Sequence, residues 1–78
     1  LEGRRLWAFA PDDRFRLVRV LDQTPEFLRY LSEAGLQLGA EGEVVTVSEE
    51  AGIMTVRIED RPTTLAREAA EKLLAATA

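Results

Sequence analysis

Residues 22–39 read Asp22-Gln-Thr-Pro25-Glu-Phe-Leu28-Arg-Tyr-Leu31-Ser-Glu-Ala-Gly35-Leu-Gln-Leu-Gly39 and contain the signals that begin and end one short helix. Thr24 is a favourable N-cap, and Pro25 follows at the first helical position, where its missing N–H costs nothing. Gly35 is the residue type that most often ends a helix in the left-handed conformation. The stretch therefore predicts a helix over about 24–34.

The predicted helix has one apolar stripe. Its apolar residues recur at the spacing that places them on one side of a helix, whereas Arg29 and Glu33, four residues apart, fall on the other side. We expect the stripe to be the contact with the core. Its members are Phe27, Leu28, Leu31 and Ala34.

From about residue 41 the spacing of the apolar residues changes from that of a helix to that of a β-strand. A β-branched run over 44–47 precedes the turn signal Glu49-Glu50-Ala51-Gly52, and alternating apolar residues then occupy 54, 56 and 58. This pattern predicts a β-hairpin. Asp60-Arg61-Pro62 is expected to end it, because proline cannot donate to a strand ladder.

A first strand is predicted over about 14–22, before the helix. Phe15 and Leu17 share one parity while Val18 and Val20 share the other, so the strand either has both faces covered or contains a bulge. Residues 1–13 end in the turn signal Pro11-Asp12-Asp13. We interpret 1–13 as a linker arm that leans on a domain formed by 14–78.

Length and composition set limits on function. The chain has 78 residues, of which 46% are hydrophobic and 31% charged, as in an ordinary small globular domain. It has no Cys and no His, which removes the usual zinc sites and any serine–histidine triad within the chain. We therefore expect no catalytic residues. The net charge of −4 disfavours direct binding to nucleic acid, and no apolar run is long enough to insert into a membrane.

The order of these segments resembles a known family. Asp22-x-x-Pro25-x-x-Leu28-Arg29-Tyr30-Leu31, then Gly35-Leu36-x-x-Gly39 and the hairpin, is similar to the FeoA-like domain. The resemblance implies a mainly β fold, a small SH3-like barrel with one short helix. It also implies a helical turn near 66–71 and a closing strand, although helix propensity alone favours a helix over the whole tail. The family positions in the tail match Leu65, Ala70, Leu73 and Ala75. Because alanines occupy much of this closing strand, we expect it to be short and frayed.

The FeoA-like domain occurs in two kinds of protein. It forms the C-terminal domain of diphtheria-toxin-repressor-type metalloregulators, and it occurs as a free-standing accessory of ferrous iron transport. The resemblance implies an accessory domain of an iron- or manganese-dependent repressor, which packs against the other domains of the same chain and makes no direct contact with nucleic acid. The longer protein is expected to be a cytoplasmic, DNA-binding homodimer. The free-standing transport accessory is the alternative.

The first residue is Leu1 rather than Met, and 6–10 are unusually apolar for a free terminus. We expect the sequence to be a piece of a longer protein, although an expression artefact explains the missing Met almost as well.

Metal ligands are not expected in this chain. In the repressor branch, the start of this helix supplies a Glu and a Gln to an ancillary metal site, and the matching positions here are Thr24 and Phe27. Neither side chain replaces a carboxylate. Iron(II) or manganese(II) is therefore expected only in the other domains of the longer protein. Acidic residues near the hairpin ends are interpreted as solvated charges rather than ligands for a hard cation; they are Glu41, Glu43, Glu49, Glu50, Glu59 and Asp60.

An interaction surface is the remaining candidate site. Aromatic and cationic residues near the N-terminus, with one tyrosine of the helix, are candidates to contact a partner domain. Packing of the aromatic residues on the barrel and ordinary exposure of the arginines are the competing interpretations. The candidates are Trp7, Phe9, Arg16, Arg19 and Tyr30. A third function is an adaptor barrel that holds an extended or proline-containing peptide in an aromatic groove. That groove would need Trp7, Phe9, Phe15, Phe27 and Tyr30.

Overall fold

The structure is a computed structural model and describes residues 3–78. The described residues form strands, two α-helices and a short 3-10 helix. In chain order these are β1 (Arg4–Arg5), the 3-10 helix (Leu6–Ala8), β2 (Arg14–Val20), α1 (Pro25–Ala34), β3 (Glu41–Ser48), β4 (Ile53–Ile58), β5 (Arg61–Ala66), α2 (Arg67–Glu71) and β6 (Leu73–Thr77).

The strands form one sheet in the order β1-β6-β2-β3-β4-β5, and each neighbouring pair is antiparallel. Three consecutive strands, β3 to β5, are joined by short turns, whereas β6 returns from the far end of the chain to lie between β1 and β2. The prediction of a mainly β fold is confirmed.

One apolar cluster fills the interior of this curved sheet. It receives side chains from every strand except β1, from both α-helices and from the 3-10 helix, so that no element has a separate core. The buried members are Leu6, Phe9, Phe15, Leu17, Val20, Leu31, Leu36, Val44, Met54, Val56, Ile58, Leu65, Ala70, Leu73 and Ala75. They include all four tail residues that the resemblance assigned to family positions.

The capped helix is confirmed. The backbone N–H of Phe27 donates to the Thr24 hydroxyl at 3.4 Å, and Pro25 begins α1. Gly35 has φ +79, and the N–H of Leu36 donates to the carbonyl of Leu31 at 2.8 Å. This is a Schellman ending, in which the apolar residue after the glycine packs back on the last turn. Leu36 is accordingly fully buried.

A bulge in β2 explains the change of parity along the first strand. Leu17 pairs with Ala75 and Arg19 pairs with Leu74, so that Val18 is an extra residue between two consecutive pairings. The extra residue moves the inward phase from Phe15 and Leu17 to Val20. Of the two interpretations offered above, the structure has the bulge.

The β3–β4 hairpin ends just before Asp60, as expected, but Pro62 does not end the strand pairing as its missing N–H predicted. Glu59 and Asp60 form a tight turn with φ values of 54° and 66°, and the chain continues as β5, paired with β4. Pro62 lies within β5, opposite Arg57. β5 is an edge strand, and an edge tolerates a residue that has no N–H because one side of the strand has no ladder.

The tail confirms one expectation and corrects another. The helical turn near 66–71 is α2, but the last strand is not frayed, because β6 is paired on both sides. Ladder hydrogen bonds to β1 and β2 compensate for the poor strand propensity of Ala75 and Ala76. Both alanines are buried.

The predicted linker arm contributes to both sheet and core. Arg4–Arg5 forms β1, and Leu6 and Phe9 are members of the apolar cluster. Residues 1–2 of the arm lie outside the described residues. A domain boundary at residue 13 stays a prediction.

Candidate interaction surface

Trp7 and Phe9, the two aromatic candidates near the N-terminus, have different surroundings. Phe9 is only 3% exposed, and its ring packs edge-on against Phe15 with 6.3 Å between ring centroids. Trp7 is half-buried, and the Arg67 guanidinium lies 5.3 Å from the centroid of its ring. Phe9 therefore cannot present its ring to a partner, and the packing interpretation holds for it.

Arg16 and Arg19 are exposed on the outer face of the sheet. Arg16 pairs with Ala76 and Arg19 with Leu74, both in β6. Arg5 of β1 pairs with the same Leu74 from the opposite side. The structure therefore brings these two candidate arginines onto one face with Arg5, another arginine of the mildly basic N-terminal stretch.

Tyr30 lies on α1 and is 39% exposed. Its ring stacks on Phe27 with 6.1 Å between centroids, and Lys72 Nζ lies 5.1 Å from the centroid of Phe27. Partial burial of the Tyr30 hydroxyl raises its pKa above the usual 10.0. Tyr30 thus belongs to a separate aromatic pair on the helix.

The aromatic peptide groove has no counterpart in this arrangement. Phe9 and Phe15 are core residues, while Phe27 and Tyr30 stack on each other on α1. A groove for an extended peptide needs several accessible rings along one line. The buried pair removes two of the five rings that this alternative required.

The exposed side of α1 carries an apolar groove that sequence reasoning missed. The groove encloses about 240 Å³ between the helix and the segment that follows it. Leu28 is 39% exposed and Leu38 is 63% exposed. Leu28 was expected to be a core contact, and this is wrong, because Leu31 and Leu36 already fill the space beneath the helix. The lining residues are Val20, Gln23, Leu28, Leu31, Ser32, Leu36, Gln37 and Leu38. Leu36 is buried and Leu38 is exposed, and no local sequence signal distinguishes the two.

A larger open depression of about 920 Å³ lies between the C-terminal end of α1 and the β4–β5 turn. Its charged lining residues have both signs, since Arg14 and Arg61 line it together with Glu33, Glu41 and Glu59. This mixture selects no ligand of a single charge.

The positions that the resemblance links to a metal do not fit one. The Thr24 hydroxyl is used as the helix cap, and Phe27 is an aromatic side chain without a donor atom. Asp22, the nearest acidic residue before the cap, is bonded to Lys72 Nζ at 2.9 Å. Among residues 3–78, no cluster of three or more acidic, His or Cys side chains is arranged to hold a metal ion.

The helices between residues 3 and 78 are all too short or too polar to span a bilayer.

Comparisons with known proteins place this fold. The chain is 29% identical to a manganese-dependent transcriptional repressor, with a TM-score of 0.92, over 97% of this chain and 41% of that protein. It matches T. acidophilum IdeR with a TM-score of 0.91 and 19% identity, over 100% of this chain and 35% of that one. An iron uptake regulatory protein, FeoA, matches with a TM-score of 0.89 and 17% identity, over 97% of this chain and 99% of that one. Sequence comparison with curated proteins gave no match.

The predicted SH3-like fold is confirmed by these structural matches. The chain spans less than half of the length of the repressors that it matches and nearly all of the FeoA protein. The FeoA domain matches residues 4–76, which is almost the whole chain. The protein therefore belongs to the FeoA domain family, a non-enzymatic family.

Proposed function

We propose that this chain is an accessory interaction domain of a metal-dependent transcriptional repressor in the cytoplasm. It packs against the DNA-binding and dimerisation domains of the same chain, and the longer protein is a homodimer. The observation that carries this proposal is the similarity to a manganese-dependent transcriptional repressor, which is 29% identical across 97% of this chain.

The absence of fitting metal ligands at Thr24 and Phe27 agrees with this role. Iron(II) or manganese(II) would be held by the other domains, and the FeoA domain would act by making different contacts in the metal-bound and metal-free states. Such a difference in contacts is sufficient to bias an equilibrium between two states.

The apolar groove beside α1 supports a packing role. Leu28 and Leu38 are large apolar side chains that remain exposed next to the groove. Interaction domains bury such residues against a partner. We assign this groove to contact with a neighbouring domain of the longer protein.

The first test is the length of the native protein, measured by intact mass or by reading the frame upstream of Leu1. One or two preceding domains that include a helix-turn-helix support the repressor. A start codon within a few residues contradicts it.

The second test uses the full native protein with Leu38→Glu. We expect weaker metal-dependent binding to operator DNA, because a charge in the groove opposes packing against the neighbouring domain. Ile53→Glu is the matched control, since Ile53 is a large apolar residue of β4 that is 40% exposed away from the groove. Equal effects of both substitutions contradict the role of the groove. The 78-residue chain alone is expected to bind neither divalent metal nor operator DNA, and measurable operator binding overturns the proposal.

A free-standing accessory of ferrous iron transport is the second candidate. The structural match to the FeoA protein favours this candidate, because the match covers 99% of that protein. In that case the partner is a membrane permease, and a pull-down with the permease tests it.

A further inference from the structure

We propose that the outer face of β1, β6 and β2 binds an acidic polypeptide segment that has an apolar side chain between its carboxylates. The cationic face is defined by Arg5, Arg16 and Arg19 around Val18 and Leu74. This inference rests on the proposed function as an interaction domain and names a surface separate from the groove beside α1.

Strand register positions the charges. Leu74 of β6 pairs with Arg5 on one side and with Arg19 on the other, so that the two arginines flank one apolar side chain across three strands. Directly paired residues project from the same face, with Cβ atoms about 4.5–5.5 Å apart. Arg16 pairs with Ala76, two residues further along β6, and so extends the same face.

The centre of the cationic face is apolar. The bulge places Val18 there, and Gly3, which has no side chain, lies against both Val18 and Leu74. A Cβ atom on Gly3 would lie 3.2 Å from Val18 Cγ2 and 3.7 Å from Leu74 Cβ. Val18, the extra residue of the bulge, is thus next to Leu74 on the outer side of the sheet. Both side chains are half-buried and remain accessible between the arginines.

Within residues 3–78, the three arginines of the cationic face form no ion pair. The ion pairs between described residues join Arg57 to Glu43, Arg67 to Glu71 and Lys72 to Asp22, and none includes Arg5, Arg16 or Arg19. Glu41 is the register partner of Arg16 in β3 but forms no ion pair with it.

A cationic face on a chain with net charge −4 is a local exception. Guanidinium groups bind carboxylates through paired hydrogen bonds, and complementary charge fixes partner and orientation. An acidic partner segment with one apolar residue matches both the charges and the centre. Phosphate backbones match only the charges, and the overall negative charge opposes them.

The test is titration of the isotopically labelled 78-residue chain with a synthetic peptide, followed by amide chemical shifts. The probe has one apolar residue between two pairs of acidic residues, and its control has Asn and Gln in place of the acids. We expect shifts confined to β1, β2 and β6, which weaken as salt is added. Shifts elsewhere, no shifts, or equal shifts with the neutral peptide overturn the proposal.

Matched variants test the charges directly. The double variant Arg5→Gln with Arg19→Gln is expected to lower the affinity for the peptide roughly tenfold or more. The control double variant, Arg29→Gln with Arg61→Gln, removes the same net charge elsewhere. It is expected to change the affinity less than about twofold. These are exposed side chains, so that both variants are expected to fold. Equal weakening in both variants overturns the proposal, as does tighter binding of a short DNA duplex on the same face.

The outcome is separable from that of the proposed function. If the peptide does not bind while Leu38→Glu still weakens DNA binding by the full protein, only the proposal for the cationic face is overturned. If native length excludes a repressor while the peptide binds, the face remains and its partner belongs to another assembly.

Discussion

Lys72 Nζ donates a hydrogen bond of 2.9 Å to Oδ2 of Asp22, fifty residues earlier in the chain. The other carboxylate oxygen of Asp22 accepts from the backbone N–H of Thr24 at 3.0 Å. One carboxylate therefore joins the end of α2 to the entry of α1. The bond from Thr24, followed by Lys72, lowers the pKa of Asp22 below its usual 3.8.

The sign of the resulting pH dependence follows from this lowered pKa. A group whose pKa is lower in the folded state stabilises the fold above its unfolded pKa, and the stabilisation is lost as pH falls through the folded value. Asp22→Asn should therefore lower the melting temperature at pH 7, and the difference from the wild type should vanish as the pH falls below about 3.8. Thermal unfolding by circular dichroism between pH 7 and pH 2 measures it. Glu33→Gln is the control, and a deficit for Asp22→Asn that persists at pH 2 contradicts the prediction.

Two leucines test whether the predicted arm is part of the folded domain. Leu6 is fully buried, so that Leu6→Ala should cost about 2–5 kcal/mol of unfolding free energy. Leu38→Ala deletes the same atoms from a residue that is 63% exposed and should cost less than about 1 kcal/mol. Urea denaturation of both variants gives the comparison. Equal costs would mean that the segment 3–13 does not contribute to the core.

The helix cap predicts a smaller effect. Thr24→Ala removes the hydroxyl that accepts from Phe27 N–H, and the expected cost is about 1 kcal/mol. Thr24→Ser keeps an acceptor at the same place and should restore nearly all of the stability. Hydrogen exchange of the first-turn amides locates the effect, and faster exchange spread evenly over the sheet would contradict it.

Gly42 is required by close packing between strands. A Cβ atom there would lie 2.5 Å from the carbonyl oxygen of Arg57 and 2.8 Å from Ile58 Cγ1. Backbone cannot move aside as a flexible side chain can, so Gly42→Ala should cost about 1–3 kcal/mol or more. Gly52→Asn is the control, because Gly52 has open space and a φ of +70° that Asn tolerates. A Gly42→Ala variant as stable as wild type would show that β3 and β4 can separate.

The helix was predictable because its signals are local. Thr24, Pro25 and Gly35 act within one turn of their own position, and all three have their expected roles. The hairpin was predictable for the same reason, since Gly52 and the alternation around it are adjacent in sequence.

Strands β5 and β6 were harder because their stability comes from distant partners. The 61–66 segment is a strand only because β4 offers it an edge, and Pro62 conceals this in a sequence window. Ala75 and Ala76 have low strand propensity and are held by neighbours from the first twenty residues.

The residues of the candidate interaction surface were also only partly predictable from local sequence. Arg16 and Arg19 are three residues apart, so that alternation alone would place them on opposite faces, and only the bulge at Val18 places both on the outer face. Their grouping with Arg5 also required β6 to lie between β1 and β2. Phe9 was a candidate both for the surface and for packing, and its burial in the apolar cluster agrees with packing.

By itself, the sequence determined the capped helix and the hairpin, because these depend on residue types that are close along the chain, whereas the class of fold was implied by the family resemblance. The family resemblance was carried by the same residues. Only the tertiary structure decided which leucines stay exposed beside α1 and which arginines share a face with Leu74. Those properties depend on strand order and register, which bring together residues as distant as Arg5 and Leu74 and which no local pattern encodes.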